Sequence, residues 1–177
     1  LERAIAEIVN QRPSQTLLRD LVGAIEAAAG DDRISSLYLD VGGLERGGLA
    51  KLQEIAAAID GFRATGKPVV AFGAYYGQGQ YYLAAHADEI YLDPMGAVFV
   101  SGFANYGTFV KDALDKLSID VNIFRVGQYK SAVETFSRND MSPAEREESL
   151  VWLNTVWGTS KSDVAKARGF DPTVLQA

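Results

Sequence analysis

Apolar residues recur at helical spacing between Thr16 and Ala29, with Leu18, Leu21, Val22 and Ile25 on one stripe and Gly30-Asp31-Asp32 after it. That pattern predicts an amphipathic helix. The run from Ile34 to Leu39 is short and β-rich and ends in Asp40-Val41-Gly42-Gly43, as a strand feeding a loop does. A second helix is expected from Leu49 to Thr65, burying Leu52, Ile55, Ala56, Ile59 and Phe62, with Gly66-Lys67-Pro68 to stop it. Pro68 to Phe72 is too short an apolar run for a helix and reads as a buried parallel strand. A turn from Gly73 to Gly79, a helix from Gln80 to His86 and a strand from Glu89 to Leu92 follow. Beyond Pro94-Met95-Gly96, residues 97–100 are extended, a helix is expected from Tyr106 to Leu117, and Val121 to Val126 is the last strand.

The closing helix has the clearest start. In Ser142-Pro143-Ala144-Glu145, Ser caps, Pro takes the first helical position, and Glu reaches back as the capping-box partner. Leu150, Leu153 and Trp157 recur along one side of it, and Trp152 beyond them suggests a partner surface. Four or five strands alternating with helices through Gly-rich connections predict an α/β domain, a mostly parallel sheet flanked by helices. No internal repeat or dividing linker is evident, so residues 1–177 are expected to form a single domain.

With 177 residues, of which 47% are hydrophobic and 23% charged, the chain can bury one substantial core. The net charge of −6, with Lys and Arg scattered, argues against a nucleic-acid binder, whose phosphate contacts need clustered cations. Without cysteine there are no disulfides or thiolate metal sites, and with His86 as the single histidine a zinc site is not expected. The longest apolar stretches fall well short of the roughly 20 residues of a membrane span. The chain opens on Leu1 and closes on an Asp171-Pro172-Thr173-Val174 helix start, so a soluble fragment of a longer protein is expected.

The glycine pairs Gly42-Gly43 and Gly47-Gly48 and the turn Gly77-Gln78-Gly79 follow strands, where α/β proteins bind ligands. No phosphate-loop or dinucleotide pattern is present. Backbone amides of such loops could hold an oxyanion, although tight turns select glycine as readily. Tyr75, Tyr76, Tyr81 and Tyr82 could line a groove for an apolar peptide, but core packing or an oligomer interface is the commoner use of such a set. His86 has no Ser or Asp at an informative spacing and reads as a packed or surface histidine rather than a general base. Asp112, Asp115, Glu145, Glu147 and Glu148 read as solvated helix surface.

Lys130 has a more specific setting. A lysine is ordinarily a solvated surface charge. Here Tyr129 precedes it, and Ala132, Val133 and Phe136 follow, apolar neighbours that would desolvate the amine. Desolvation disfavours the ammonium form, which is what lets a lysine accept a proton near neutral pH and activate a serine hydroxyl.

The run from Arg125 to Glu134, Arg-Val-Gly-Gln-Tyr-Lys-Ser-Ala-Val-Glu, followed by Asp140-Met141-Ser142-Pro143-Ala144, closely resembles the lysine region of the signal peptide peptidase A (protease IV) family. Gly66-Lys67-Pro68-Val69, the block from Tyr76 to Ala84, and Gly102-Phe103-Ala104 support the match in the family's order, so that it covers about Ile34 to Trp157. The resemblance is to the amino-terminal half of the long, duplicated form. It implies a Clp-protease/crotonase-like fold and a Ser/Lys peptidase whose halves split the dyad. Lys130 would be the general base, and the serine would come from a Ser-Gly-Gly turn in the second half. The comparable turn in this chain is Gly77-Gln78-Gly79-Gln80, which puts Gln78 where the nucleophile would stand, and an amide cannot attack a carbonyl. Ser131 reads as a hydrogen-bonding support, and Ser101 is a weaker candidate still.

The resemblance further implies cleaved signal peptides as substrate, a homo-oligomer (a tetramer), the bacterial inner membrane with the catalytic part outside the cytoplasm, and no metal or organic cofactor. On this reading the chain alone is inactive. Two other readings compete: a non-catalytic oligomerisation module of the same fold, and a crotonase-type enzyme acting on an acyl-coenzyme A. The second lacks an acidic residue in a loop after a strand.

Overall fold

The computed structural model describes residues 16–45, 47–124 and 133–175. In chain order these form α1 (Leu18–Gly30), β1 (Leu37–Asp40), α2 (Leu49–Ala64), β2 (Val69–Gly77), α3 (Gln78–Ala84) and β3 (Glu89–Phe99). Then come α4 (Lys111–Lys116), α5 (Glu134–Ser137), α6 (Pro143–Arg168) and a 3₁₀ turn at Pro172–Leu175. The described residues divide into two compact units, one ending at Ser101 and resuming at Ser162, the other running from Gly102 to Lys161.

The first unit is α/β. Its sheet has the order β1-β2-β3 with both pairings parallel, Leu37 opposite Val69 and Val70 opposite Glu89. The expected stripe of α2 is the centre of the core: Leu52, Ile55, Ala56, Ile59 and Phe62 are all buried. α1 contributes less than its pattern suggests. Only Ile25 is buried on it, Leu18 and Val22 are half-buried, and Leu21 is exposed.

Where α2 stops, Gly66 takes a φ of 82°, a left-handed conformation that a side chain disfavours. Lys67 then donates to the carbonyls of Ala28, Ala29 and Asp31 at 3.2, 3.0 and 2.8 Å, which places a cation at the carbonyl end of α1.

Gly73 to Tyr76, expected as a turn, continue β2. β3 likewise runs through Pro94-Met95-Gly96, expected as a break. Both differences have one cause, an irregularity in the pairing: Gly73 lies opposite Leu92 and Tyr75 opposite Ala97, so Ala74 alone faces the excursion from Asp93 to Gly96. Met95 donates its N–H to Asp93 Oδ1 at 2.8 Å within that excursion. A Cβ on Gly96 would sit 2.0 Å from the Ala74 carbonyl oxygen, so only glycine fits. The bulge also shifts the phase of β2. Val69, Ala71 and Gly73 are buried, and after it Tyr76 rather than Tyr75 points inward, its hydroxyl donating to the Tyr91 carbonyl at 2.9 Å. Burial pushes the Tyr76 phenol pKa up.

Asp88 fastens the start of β2 to the loop before β3. Its Oδ2 accepts the Val69 N–H at 2.8 Å and its Oδ1 accepts from Arg63 at 2.8 and 2.9 Å, and these bonds hold its pKa below the ordinary carboxylate value, the Val69 bond most of all. A carboxyl depressed in the folded state stabilises the fold above its unfolded pKa of about 3.9, and that contribution is lost as pH falls through the folded value. Urea melts are therefore expected to show stability declining below about pH 4, less steeply in Asp88→Asn than in the parent. Equal slopes would remove Asp88 as a source of the decline.

In the second unit two expected elements change. The helix expected from Tyr106 to Leu117 is confined to α4. Val110 donates its N–H to the Thr135 carbonyl at 2.8 Å, and Tyr106 and Leu117 lie exposed. The strand expected from Val121 to Val126 is absent over residues 121–124, where Phe124 is 96% exposed and no described strand lies alongside to pair with it; the rest of that range is outside the described residues. α6 starts where its pattern says. Ser142 Oγ accepts the Glu145 N–H at 3.1 Å, yet the reciprocal half of the capping box is supplied by Glu134, whose Oε2 accepts the Ser142 N–H at 3.0 Å. Leu150 and Trp152 are exposed on α6, and Phe103 meets Trp157 edge to face at 6.3 Å.

Candidate functional site

The carboxyl ends of β1 and β2 open on a cleft of about 570 Å³, lined by Leu44, Glu45, Gly47, Gly48, Gly77, Gln78, Gly79 and Gln80. This is the end of a parallel sheet at which α/β proteins place their ligands. Two of the glycine-rich loops singled out in the sequence thus meet at one place. Gly48 precedes α2 and Gly77 precedes α3, both in extended backbone conformation. Gln78 is the first residue of α3, directly after the strand, and lines the cleft.

The joint between the loops is Gln80, which is not among the candidate site residues read from the sequence. Gln80 accepts the Gly77 N–H through Oε1 at 2.7 Å, and its Nε2 donates to the carbonyls of Gly42 and Leu44 at 3.4 and 3.3 Å. One amide therefore ties the β2–α3 turn to the loop leaving β1. The available signal was a polar amide three residues after a helix-starting glycine, the spacing at which Gln serves a helix N-terminus. Gly42 is in turn held by Asp40 Oδ1, which accepts its N–H at 3.0 Å.

The tyrosines separate by depth. Tyr76 and Tyr82 belong to the core, Tyr81 is half-buried, and Tyr75 is exposed and stacked on Phe99 at 6.4 Å. Tyr82 donates to Asp163 Oδ2 at 2.7 Å, an oxygen that also accepts from Gln53 at 2.9 Å. Desolvation, followed by the contact with the Asp163 carboxylate, pushes its phenol strongly upward. His86 is buried, its Nδ1 lies 3.0 Å from the Asp60 carboxylate, and its Nε2 has no hydrogen-bond partner among the described residues. Neither tyrosine nor histidine lines the cleft.

Among the carboxylates, Asp112 is bonded to Asn139 and Asp115 to Lys111, while Glu147 and Glu148 are exposed on α6. Ser101 is exposed, in no helix or strand. Lys130 and Ser131 lie outside the described residues. Ile123, before them in the chain, and Val133, after them, line a second cavity of about 530 Å³ with Glu134, Ser137, Arg138, Ser142, Pro143 and Ala144. Among the described residues, no helix is long and apolar enough to cross a membrane.

Residues 61–177 match the family described as Peptidase family S49. The chain is 41% identical over 175 residues to Protease 4 of Salmonella typhi, covering 99% of this chain and 28% of that protein. It is 42% identical over 166 residues to Protease 4 of Haemophilus influenzae, covering 93% of this chain and 27% of that protein. The Arabidopsis thaliana protein named Serine protease SPPA, chloroplastic, is 30% identical over 142 residues, 80% of this chain and 21% of the relative. The chain thus spans little more than a quarter of the two bacterial relatives. With a family match over residues 61–177 and the motif blocks around Gln78 and Lys130 inside it, the chain belongs to peptidase family S49, the family of signal peptide peptidase A.

Proposed function

We propose that this chain is the lysine-bearing part of a serine-type endopeptidase with a Ser/Lys dyad, and that Lys130 is its general base. The observation that carries the reading is the motif from Arg125 to Glu134 in a chain of a peptidase family, while Gln78, at a strand-to-helix turn on the cleft, is an unreactive amide. A serine peptidase needs a nucleophile, so the hydroxyl has to come from another part of the protein. The motif around Lys130 supports this chain as the source of the base. Neutral Lys130 Nζ takes the proton from the serine Oγ as that oxygen bonds to the scissile carbonyl carbon. The tetrahedral intermediate collapses, the C–N bond breaks, and the lysine ammonium returns its proton to the departing amine. Water then adds to the acyl-enzyme with Lys130 again as base, and the serine is released.

The resemblance to signal peptide peptidase A gives the substrate class, cleaved signal peptides in extended form, and the setting, the bacterial inner membrane with the catalytic part outside the cytoplasm. It also supports a tetrameric homo-oligomer. A second reading, an assembly module without catalysis, is favoured by Gln78 alone. The two are separated by assaying an apolar peptide with the 177-residue chain and with the full-length protein. The account expects hydrolysis by the full-length protein and none by the chain alone. Cleavage by the isolated chain would overturn the split dyad, and inactivity of the full-length protein would favour the assembly module.

A further inference from the structure

Four residues after Lys130 the chain buries a carboxylate. Glu134 is 4% exposed, opens α5 and lines the second cavity. Glutamate goes inside a protein only when something holds it there. Its Oε2 accepts the Ser142 N–H at 3.0 Å, at the head of the 26-residue helix α6, where the helix dipole favours negative charge. In an ordinary capping box Glu145 would take that N–H; here Glu145 lies 3.4 Å from the Ser149 hydroxyl and the bond is made from α5.

Around this bond the short segment is braced on several sides. Thr135 accepts the Val110 N–H at 2.8 Å, and Asn139 and Asp112 exchange two bonds at 3.1 and 2.6 Å. Ser137 Oγ donates to the Val133 carbonyl at 3.2 Å, and Arg138 pairs with Asp140 at 2.8 Å. A general base must stand within hydrogen-bond reach of its proton, and a misplacement of about 1 Å costs on the order of 100-fold in rate. The segment anchored in this way begins three residues after Lys130 in the sequence, and four residues span at most about 14 Å.

We propose that Glu134 is a positioning residue, whose carboxylate fixes the segment just downstream of Lys130 to the head of α6 and so sets where the lysine amine stands in the assembled peptidase. The proposal rests on the reading of Lys130 as general base. Its test uses the full-length protein with Glu134→Gln, Glu134→Ala and Glu134→Asp, assayed for kcat, KM and the pH dependence of kcat/KM with a small ester.

Gln keeps an oxygen that can accept the Ser142 N–H and removes only the charge, whereas Ala removes both, and Asp keeps the charge but withdraws the oxygen by one methylene. Glu134→Ala is expected to lose at least about tenfold in kcat with KM within about twofold, a fraction of the cost of an ångström's misplacement. Glu134→Gln should recover most of that loss. Loss of charge alone lowers a lysine pKa, so Gln should move the pH profile down or leave it in place, while Ala, by releasing the amine toward water, should move it up relative to Gln. If Ala fails to fold or assemble, Asp carries the test and should show the same kcat loss.

Equal kcat and equal pH profiles for Ala and Gln would overturn the proposal, as would wild-type kcat in Ala, or in Asp where Asp carries the test. Lys130→Ala, run alongside, keeps the two claims apart: if it is inactive while the Glu134 variants match wild type, positioning by Glu134 fails and the general base stands. If Lys130→Ala hydrolyses normally, both fail.

Discussion

Lys130→Ala in the full-length protein is expected to lower kcat/KM by about ten-thousand-fold or more while leaving folding and assembly intact. General acid–base groups contribute roughly 10² to 10⁴ in rate, and members of a nucleophile–base pair cost more because each is useless without the other. Alanine cannot accept the serine proton, and water in the vacated space is a far weaker base than a desolvated amine. The loss should fall on acylation, so a serine-directed acylating probe should label the variant as slowly as it turns over substrate. Hydrolysis within tenfold of wild type would exclude Lys130 as the base.

Phe62→Ala is expected to produce the largest stability loss, about 3–5 kcal/mol. The ring is fully buried in the first unit, on the same stripe of α2 as Ile59, which is also fully buried. Removing it deletes apolar contact and leaves a cavity that a close-packed helix and sheet cannot collapse to fill. Thermal melts should show a midpoint lower by roughly 10 °C, given a few degrees per kcal/mol for a chain of this size. The cleft lies at the strand ends, and Phe62 is not among its lining residues, so any of the variant that stays folded should keep the Gln80 joint. A loss below about 1 kcal/mol would mean that the ring sits in a site able to close around the gap.

Much of the first unit was legible because its pattern is local. The stripe on α2 repeats every three or four residues, and the observed helix buries each of the five residues it named. What the pattern could not supply were features decided by distant partners. The β2–β3 irregularity depends on Gly96 meeting the Ala74 carbonyl across the sheet, so Gly73 to Tyr76 looked like a turn and became strand. The helix expected from Tyr106 lost its first turn because the Val110 amide found Thr135 instead of a carbonyl in its own segment. The cap of α6 was half legible: Ser142 accepts from Glu145 as its sequence says, but Glu134 outcompetes Glu145 for the Ser142 amide.

The site followed the same division. Gln78 was placed at a strand-to-helix turn by the flanking glycines, and it lines the cleft there. Gln80 carries no chemistry of its own, and its role became visible only when the loop from β1 arrived beside it. For Lys130, the motif and its apolar neighbours remain the argument.

The central claim, that Lys130 works as a neutral amine in a dyad completed elsewhere in the protein, is tested most directly by the pH dependence of kcat/KM for the full-length protein with a small ester. The account predicts a rising limb with an apparent pKa well below the roughly 10.4 of free lysine, and the disappearance of that limb in Lys130→Ala. A limb centred near the free-lysine value, or one that survives in Lys130→Ala, would contradict it.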